Sequence, residues 1–244
     1  MTFRRSLPNH RVFGRCQNDL SRLQGGSKVP IPDERNHIGA SPGTTLGEEV
    51  FRRLYGAILD GTLIGGERVR DADIAAWLGV SRTPVRDAFA SLERLGLIEV
   101  VASRYTVVTE VTEDLIAATL EYTGYSAGIG MHMAVTRMTE AEARTAVHIL
   151  RRMLSASDAD DRLTLYDEAR ALYGHIAVFA RNDVYRRVLS EAGLAMERNL
   201  RERRPLIGGV ESRGHEYREL IAAIERRDAA AAERSVRHQH EIRD

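Results

Sequence analysis

Between residues 71 and 95, two stretches of helical spacing meet across a single glycine, and few folds accommodate that arrangement. Ile74, Ala75 and Leu78 share one face of the first stretch. Val85, Ala88, Leu92 and Leu95 share one face of the second, at about 100° per residue. Gly79-Val80 supplies the reversal, since glycine enters the left-handed region at little cost, and Ser81 has the side chain of a helix N-cap. Two short helices joined by a three-residue glycine turn define a helix-turn-helix. The same wheel puts Arg82, Thr83 and Arg86 on the outer face of the second helix, in its first turns.

The flanking sequence extends this unit. Thr45-Leu46-Gly47-Glu48 has capping-box spacing, and Leu46, Val50, Leu54 and Ile58 recur every four residues until Gly61 stops the helix. After Gly96, β-branched runs at 98–101 and 106–108, separated by 102–105, predict a hairpin that would form a wing. From Thr112 onward the strand signal vanishes. About six helices are predicted there, punctuated near Met138, Ser157, Asn182, residues 207–209 and Arg227, with a second capping box at Thr139-Glu140-Ala141-Glu142. Gly124, Gly128 and Gly130 each weaken the first of these helices by roughly 1 kcal/mol relative to alanine, which predicts a kink or a close packing contact. The expected fold class is therefore mainly α, a winged helix-turn-helix with a small β-hairpin followed by an all-α bundle. The expected divisions are a flexible arm at 1–43, the winged domain at 44–110 and the helical domain at 111–244.

Charge and cysteine usage limit the function classes. With 35 basic and 35 acidic residues among 244, the chain has no net charge, so any contact with a polyanion must come from local placement. Of the basic residues only Lys28 is lysine, which reflects genomic base composition as readily as a need for bidentate contacts. Cys16 is the single cysteine, so neither an intramolecular disulfide nor a thiol-rich zinc site can form. No apolar segment follows Arg4 and Arg5, and no run of about 18 apolar residues occurs, which places the expected protein in the cytoplasm and off the membrane. The segment to residue 45 holds seven basic and three acidic side chains; it suits either a solvated tail or an arm touching DNA phosphates.

The stretch Leu78-Gly79-Val80-Ser81-Arg82-Thr83-Pro84-Val85-Arg86-Asp87-Ala88, followed by Leu92 and Gly96-Leu97-Ile98, resembles the recognition segment of the GntR family of bacterial regulators. Ala57-Ile58-Leu59-Asp60-Gly61 and Gly65-Gly66-Glu67-Arg68-Val69 resemble the same family's first helix and the loop after it. The resemblance runs without gaps over about residues 46–108. It implies double-stranded DNA as a partner and Arg82, Thr83 and Arg86 as contacts to it, with Ser81 beside them. Arginine bonds the O6/N7 edge of guanine in bidentate fashion, while threonine meets a phosphate or a thymine methyl. At two positions the chain departs from the family pattern. Ala72 stands where a polar or basic residue is common, which makes Arg70 the substitute candidate. Tyr105 stands where the wing usually has glycine, leaving Arg104, next to Ser103, as the wing's candidate contact.

Residues 112–244 resemble the FCD domain of that family's fatty-acid-responsive branch, on helix count and on segments 134–142 and 219–228. The resemblance implies a dimerising, effector-binding domain in which an aspartate and a histidine one turn apart, with two later histidines, hold a metal that a carboxylate effector completes. Carried onto this chain, those positions fall on Ala171, His175, Tyr217 and Gln239, so zinc or nickel is not expected. Asp167 is two turns from His175, and His215, His238 and His240 are expected to point away from the site. Thr123, two residues after Glu121, replaces the arginine that meets an effector carboxylate. The candidate effector residues are thus His175, Tyr217, Thr123, Glu121 and Gln239. A pocket of Tyr122, Tyr125, Met131, Met133, Tyr173, His175 and Tyr217 would suit a larger, less charged ligand than a small organic acid; the same residues equally suit plain core packing.

The expectation is a non-enzymatic homodimer that sets its two recognition helices in successive major grooves about 34 Å apart on an inverted repeat and represses transcription. A small-molecule effector would modulate it. One alternative is an effector-independent repressor whose later helices serve only dimerisation. Another is a metal-dependent hydrolase, for which the chain offers no nucleophile elbow, phosphate loop or His-x-x-x-His pair.

Overall fold

The computed structural model of the chain describes residues 43–101 and 105–242. The arm at 1–42, with Cys16 and Lys28, and the wing tip with Ser103 and Arg104 lie outside the described residues.

The chain begins with helix α1 (Leu46–Leu59), which starts at the Thr45 capping box: the Thr45 hydroxyl accepts from the Glu48 amide and the Glu48 carboxylate accepts from the Thr45 amide. α2 (Asp71–Leu78) and α3 (Arg82–Arg94) follow, separated by Gly79 at φ 67°, whose left-handed backbone closes α2 onto the Ala75 carbonyl. Ser81 occupies the N-cap of α3 with extended backbone, yet its side chain makes no capping hydrogen bond, contrary to the sequence expectation. The wing consists of β2 (Ile98–Val101) and β3 (Tyr105–Val108). A third strand that the sequence did not reveal, β1 (Arg68–Val69), pairs antiparallel with β3, giving the order β1-β3-β2 with Arg68 opposite Val107 and Val69 opposite Thr106. Two residues carry no detectable period, and the partner strand is far along the chain. Tyr105 opens β3 rather than sitting in the turn, and the Arg68 guanidinium lies 4.1 Å from its ring centroid. Val50, Leu54, Ile74, Leu78, Val85, Leu92, Leu97, Ile98 and Val108 form one buried core between these helices and the sheet.

The remaining described residues are helical: α4 (Glu113–Arg137), α5 (Glu140–Asp158), α6 (Arg162–Phe179), α7 (Asp183–Arg201), α8 (Val210–Glu225) and α9 (Ala229–Gln239). Thr112, Asp161, Asn182 and Asp228 cap α4, α6, α7 and α9 through their side chains, and Thr139 makes the second capping box at α5. Met131, Leu150, Leu172, Ile176, Leu220 and Ile224 centre a second core. Each such fully buried side chain contributes about 1.5–3 kcal/mol relative to leaving it in water. The glycines of α4 are packing contacts. A Cβ on Gly124 would lie 2.6 Å from the His240 Cβ and one on Gly128 3.1 Å from the Arg237 Cγ, so α9 rests directly on the α4 backbone. None of the described helices is long and apolar enough to cross a membrane.

Candidate functional site

The outer face of α3 is built by its inner one. Pro84, Val85, Ala88, Phe89 and Leu92 are buried in the first core, which fixes the phase of the helix and leaves Arg82, Thr83 and Arg86 exposed. Pro84, the third residue of α3, has no N–H for the Ser81 hydroxyl to cap, and the helix dipole favours negative charge at this end. The three side chains at this end differ in their partners. Arg86 donates from Nε to Asp71 Oδ2 at 2.9 Å, whereas exposed Arg82 and Arg70 make no ion pair among the described residues. Arg70 is the exposed N-cap residue of α2, directly before Asp71, the residue that pairs with Arg86.

A second candidate site lies in the helical domain, a cavity of about 510 Å³ walled by α4, α6, α7, α8 and the end of α9. Of the candidate effector residues, Thr123, Tyr217 and Gln239 line it; His175 and Glu121 do not. The His175 Nε2 bonds the Glu142 main-chain oxygen at 2.8 Å and its ring packs on Phe179 at 4.4 Å, while Glu121 is exposed. Helical phase is the reason. Ala169 and Tyr173 occupy the cavity face of α6, and a residue two positions on is turned by about 200°. Tyr122 and Tyr125 are exposed and Met131 is buried in the core, so of the expected aromatic and methionine lining Tyr173 and Tyr217 are the ones that face the cavity.

His240, expected to point away, lines the cavity. Its Nδ1 lies 2.9 Å from the Val236 carbonyl, which can only accept, so Nδ1 carries the proton and Nε2 accepts from the Tyr173 hydroxyl at 3.3 Å. Burial pushes the His240 pKa down and the Tyr173 pKa up, and lifts Tyr217 to about 12 against the pull of Arg213, so all three groups are neutral near pH 7. This end of the cavity does not suit a metal. It offers one imidazole with both nitrogens engaged, a carboxamide and two phenols, and no group of three or more His, Cys, Asp or Glu gathers among the described residues.

Sequence reasoning missed the cations. Arg162, Arg170, Arg186, Arg204 and Arg213 line the cavity with Glu197 as its carboxylate. Arg213 is buried, donating from Nε to the Ser157 hydroxyl (3.1 Å) and from Nη1 to the Gly208 carbonyl (2.6 Å), with no ion pair among the described residues. The expected less-charged lining is thus replaced by a basic one. Scattered over three helices and a loop, these arginines share no spacing that a linear sequence displays.

Helix α7 joins the two sites. The Tyr55 hydroxyl of α1 donates to the Leu194 carbonyl at 3.0 Å and lies 3.3 Å from Glu197 Oε2; both residues line the cavity. Burial, reinforced by the Glu197 charge, pushes the Tyr55 pKa up. Glu197 also pairs with Arg170 at 3.0 Å. One helical position further on, buried Arg198 donates to the Thr109 carbonyl where the wing leads into α4, and Asn199 Nδ2 donates to the Thr119 hydroxyl at 3.0 Å.

A winged helix-turn-helix set on an all-helical domain with an internal cavity defines a class of bacterial regulatory protein. The model of that class named "Bacterial regulatory proteins, gntR family" matches residues 46–108, and that of the FCD domain matches residues 129–240. The chain carries a GntR-family N-terminal domain and a C-terminal FCD domain. A relative from Paenarthrobacter nicotinovorans, "Probable D-xylose utilization operon transcriptional repressor", is 43% identical over 79 residues, 31% of this chain and 34% of that protein. The chain therefore matches about a third of the length of that curated relative. Among solved structures, E. coli McbR/YncC superposes with a TM-score of 0.56 at 20% identity, covering 81% of this chain and 94% of that one. A GntR protein from Rhodococcus sp. RHA1 gives 0.55 at 19% identity over 81% and 95%. At these identities the two structures establish the shared fold.

Proposed function

We propose that the protein is a cytoplasmic, homodimeric repressor of transcription that reads an inverted-repeat operator through α3 and is modulated by a small molecule in the helical cavity. The observation that carries this reading is the solvent-facing set Arg82, Thr83 and Arg86 at an uncapped helix N-terminus, held by a buried inner face. Arg70, exposed at the N-cap of α2, supplies phosphate contact, and Arg104 is the wing's candidate for the same role. Exposed Tyr122, Tyr125 and Ile129, spaced along α4, and Val184 and Val188 on α7 support self-association. The division into a winged unit at 44–110 and a helical unit at 111–244 fits the two separate cores. The repressor named among the relatives supports the sign of regulation.

For the effector, the basic lining and the apolar walls favour an anionic ligand with an apolar body, held by Thr123, Tyr217 and Gln239 with the arginines and without a metal. Glu197, shared between Arg170 in the lining and Tyr55 in α1, gives such a ligand a route to the winged domain. Two measurements test the reading. Fluorescence anisotropy on duplexes from the DNA upstream of the gene should show binding that competitor DNA does not abolish and that weakens steeply with salt. Thermal-shift screening should show stabilisation by aliphatic or aromatic carboxylates; stabilisation by neutral ligands alone would remove the anionic assignment.

A further inference from the structure

The ion pair between Asp71 and Arg86 does more than join two helices. We propose that Asp71 is a positioning residue for base specificity, one that aims Arg86 at guanine, and this rests on the DNA-reading function proposed above. Asp71 is the first residue of α2, where the helix dipole favours a carboxylate, and its side chain is 26% exposed against 69% for Arg86. Both backbones are anchored. Ile74 and Leu78 bury α2, and Val85 and Ala88 bury α3, so the 2.9 Å contact from Arg86 Nε to Asp71 Oδ2 links two fixed points through one flexible side chain.

The stereochemistry of the guanidinium decides what remains. Its five N–H groups form a rigid planar fork, and engaging Nε leaves the end made by Nη1 and Nη2 free. Neither of those nitrogens bonds another group among the described residues. That free end is the edge that meets guanine O6 and N7 in the major groove. Held in place beforehand, it loses less rotamer freedom on binding than an untethered arginine does.

Charge makes the same point from the other side. A carboxylate on a surface that faces phosphates repels them, so Asp71 does not serve general affinity. Neutralised by its partner, Arg86 gains little from a phosphate and keeps its directional bonds. Arg82 and Arg70, without carboxylate partners among the described residues, retain full charge. A residue that weakens binding to any DNA while sharpening binding to one sequence is a specificity device.

The experiment selects sites from a random duplex pool with the full-length wild type, Asp71→Ala and Asp71→Asn, then measures affinity for the selected site and for random-sequence duplex at one salt concentration. The wild type should select half-sites containing a guanine. Asp71→Ala should flatten the preference at that base pair and lower selected-site affinity about tenfold, while affinity for random duplex stays equal or tightens. Asp71→Asn, which keeps a neutral acceptor for Nε, should fall between. In an Arg86→Ala background, Asp71→Ala should cause no further loss. Retention of the guanine preference by Asp71→Ala overturns the proposal, as does a parallel loss of both affinities with a lowered Tm, the mark of a purely structural role. A wild-type chain that selects no sequence overturns the DNA-reading function itself and Asp71's part in it.

Discussion

Both halves of the molecule are built with arginine, and they use it in opposite ways. In the winged half, Arg70 at the start of α2 and Arg82 and Arg86 on α3 stand in solvent. In the helical half, Arg198 and Arg213 are buried and end on main-chain carbonyls and a hydroxyl, while other arginines line a cavity. A solvated guanidinium costs the fold nothing and keeps its donors for a partner. A buried one has paid its desolvation and can stay only if its planar donors are met. Since all but one of the basic residues are arginine, composition cannot separate these roles; burial and partners do.

The largest test of that contrast is on the buried side. Arg198→Ala strands the Thr109 carbonyl and the Asn199 side-chain oxygen, which Arg198 Nη1 meets at 3.1 Å. Losing hydrogen bonds from a charged donor to buried acceptors should lower unfolding stability by about 2–4 kcal/mol in urea denaturation. Arg198→Met, which restores volume without a charge, should recover part of it. A stability change within about 0.5 kcal/mol, the usual scale of surface substitutions, would mean that Arg198 behaves like a surface residue. Next in size, Arg82→Ala should weaken operator binding by about 1–3 kcal/mol and leave Tm unchanged. An Arg82→Ala protein that melts early but binds normally would invert the comparison.

The winged half was legible because punctuation fixed its phase. Gly79 and the apolar stripe of α3 determine which residues face out, and Arg82, Thr83 and Arg86 are exposed as the wheel placed them. What escaped was short or silent: the two-residue strand β1 and the unused hydroxyl of Ser81. In the helical half the six helices and the Thr139 capping box were readable, but the side-chain caps at Asp161 and Asp228 and the cavity face of α6 were not. Tyr173 and His175 are two residues apart and nearly opposite in direction, and both sides of that helix pack against protein. Apolar periodicity distinguishes core from solvent; it does not distinguish core from cavity.

Glycine sharpens the comparison at smaller energy. Gly56, in the last turn of α1, has open space where a Cβ would go, so Gly56→Ala should raise stability by up to roughly 1 kcal/mol. At Gly130 a Cβ would overlap the Tyr185 hydroxyl and sit 2.6 Å from Tyr185 Cζ and 3.0 Å from Ile176 Cγ2. That hydroxyl also donates to the Ser126 carbonyl at 2.9 Å and ties α7 to α4. Overpacking of about 1–3 kcal/mol outweighs the propensity gain of about 1, so Gly130→Ala should lower stability. Thermal melts of the two variants should move in opposite directions.

The smallest expected effect separates the halves by pH. Residues 43–110 contain no histidine, so between pH 7.5 and 5.5 imidazole titration acts only on the helical half of the described chain. His240 has its pKa lowered from 6.5 by burial, with the Val236 carbonyl opposing the shift. The unfolded chain therefore binds a proton at this site before the folded one does. Stability tied to neutral His240 is full above the unfolded value and is lost as pH falls through it toward the folded pKa. Protonation would also cost the Tyr173 hydroxyl its acceptor at Nε2. Wild-type melts should shift down between pH 7.5 and 5.5 by more than those of His240→Gln, whose side chain does not titrate. Equal shifts in the two proteins would show that the cavity end is open to water, and that its histidine is held no differently from the exposed ones.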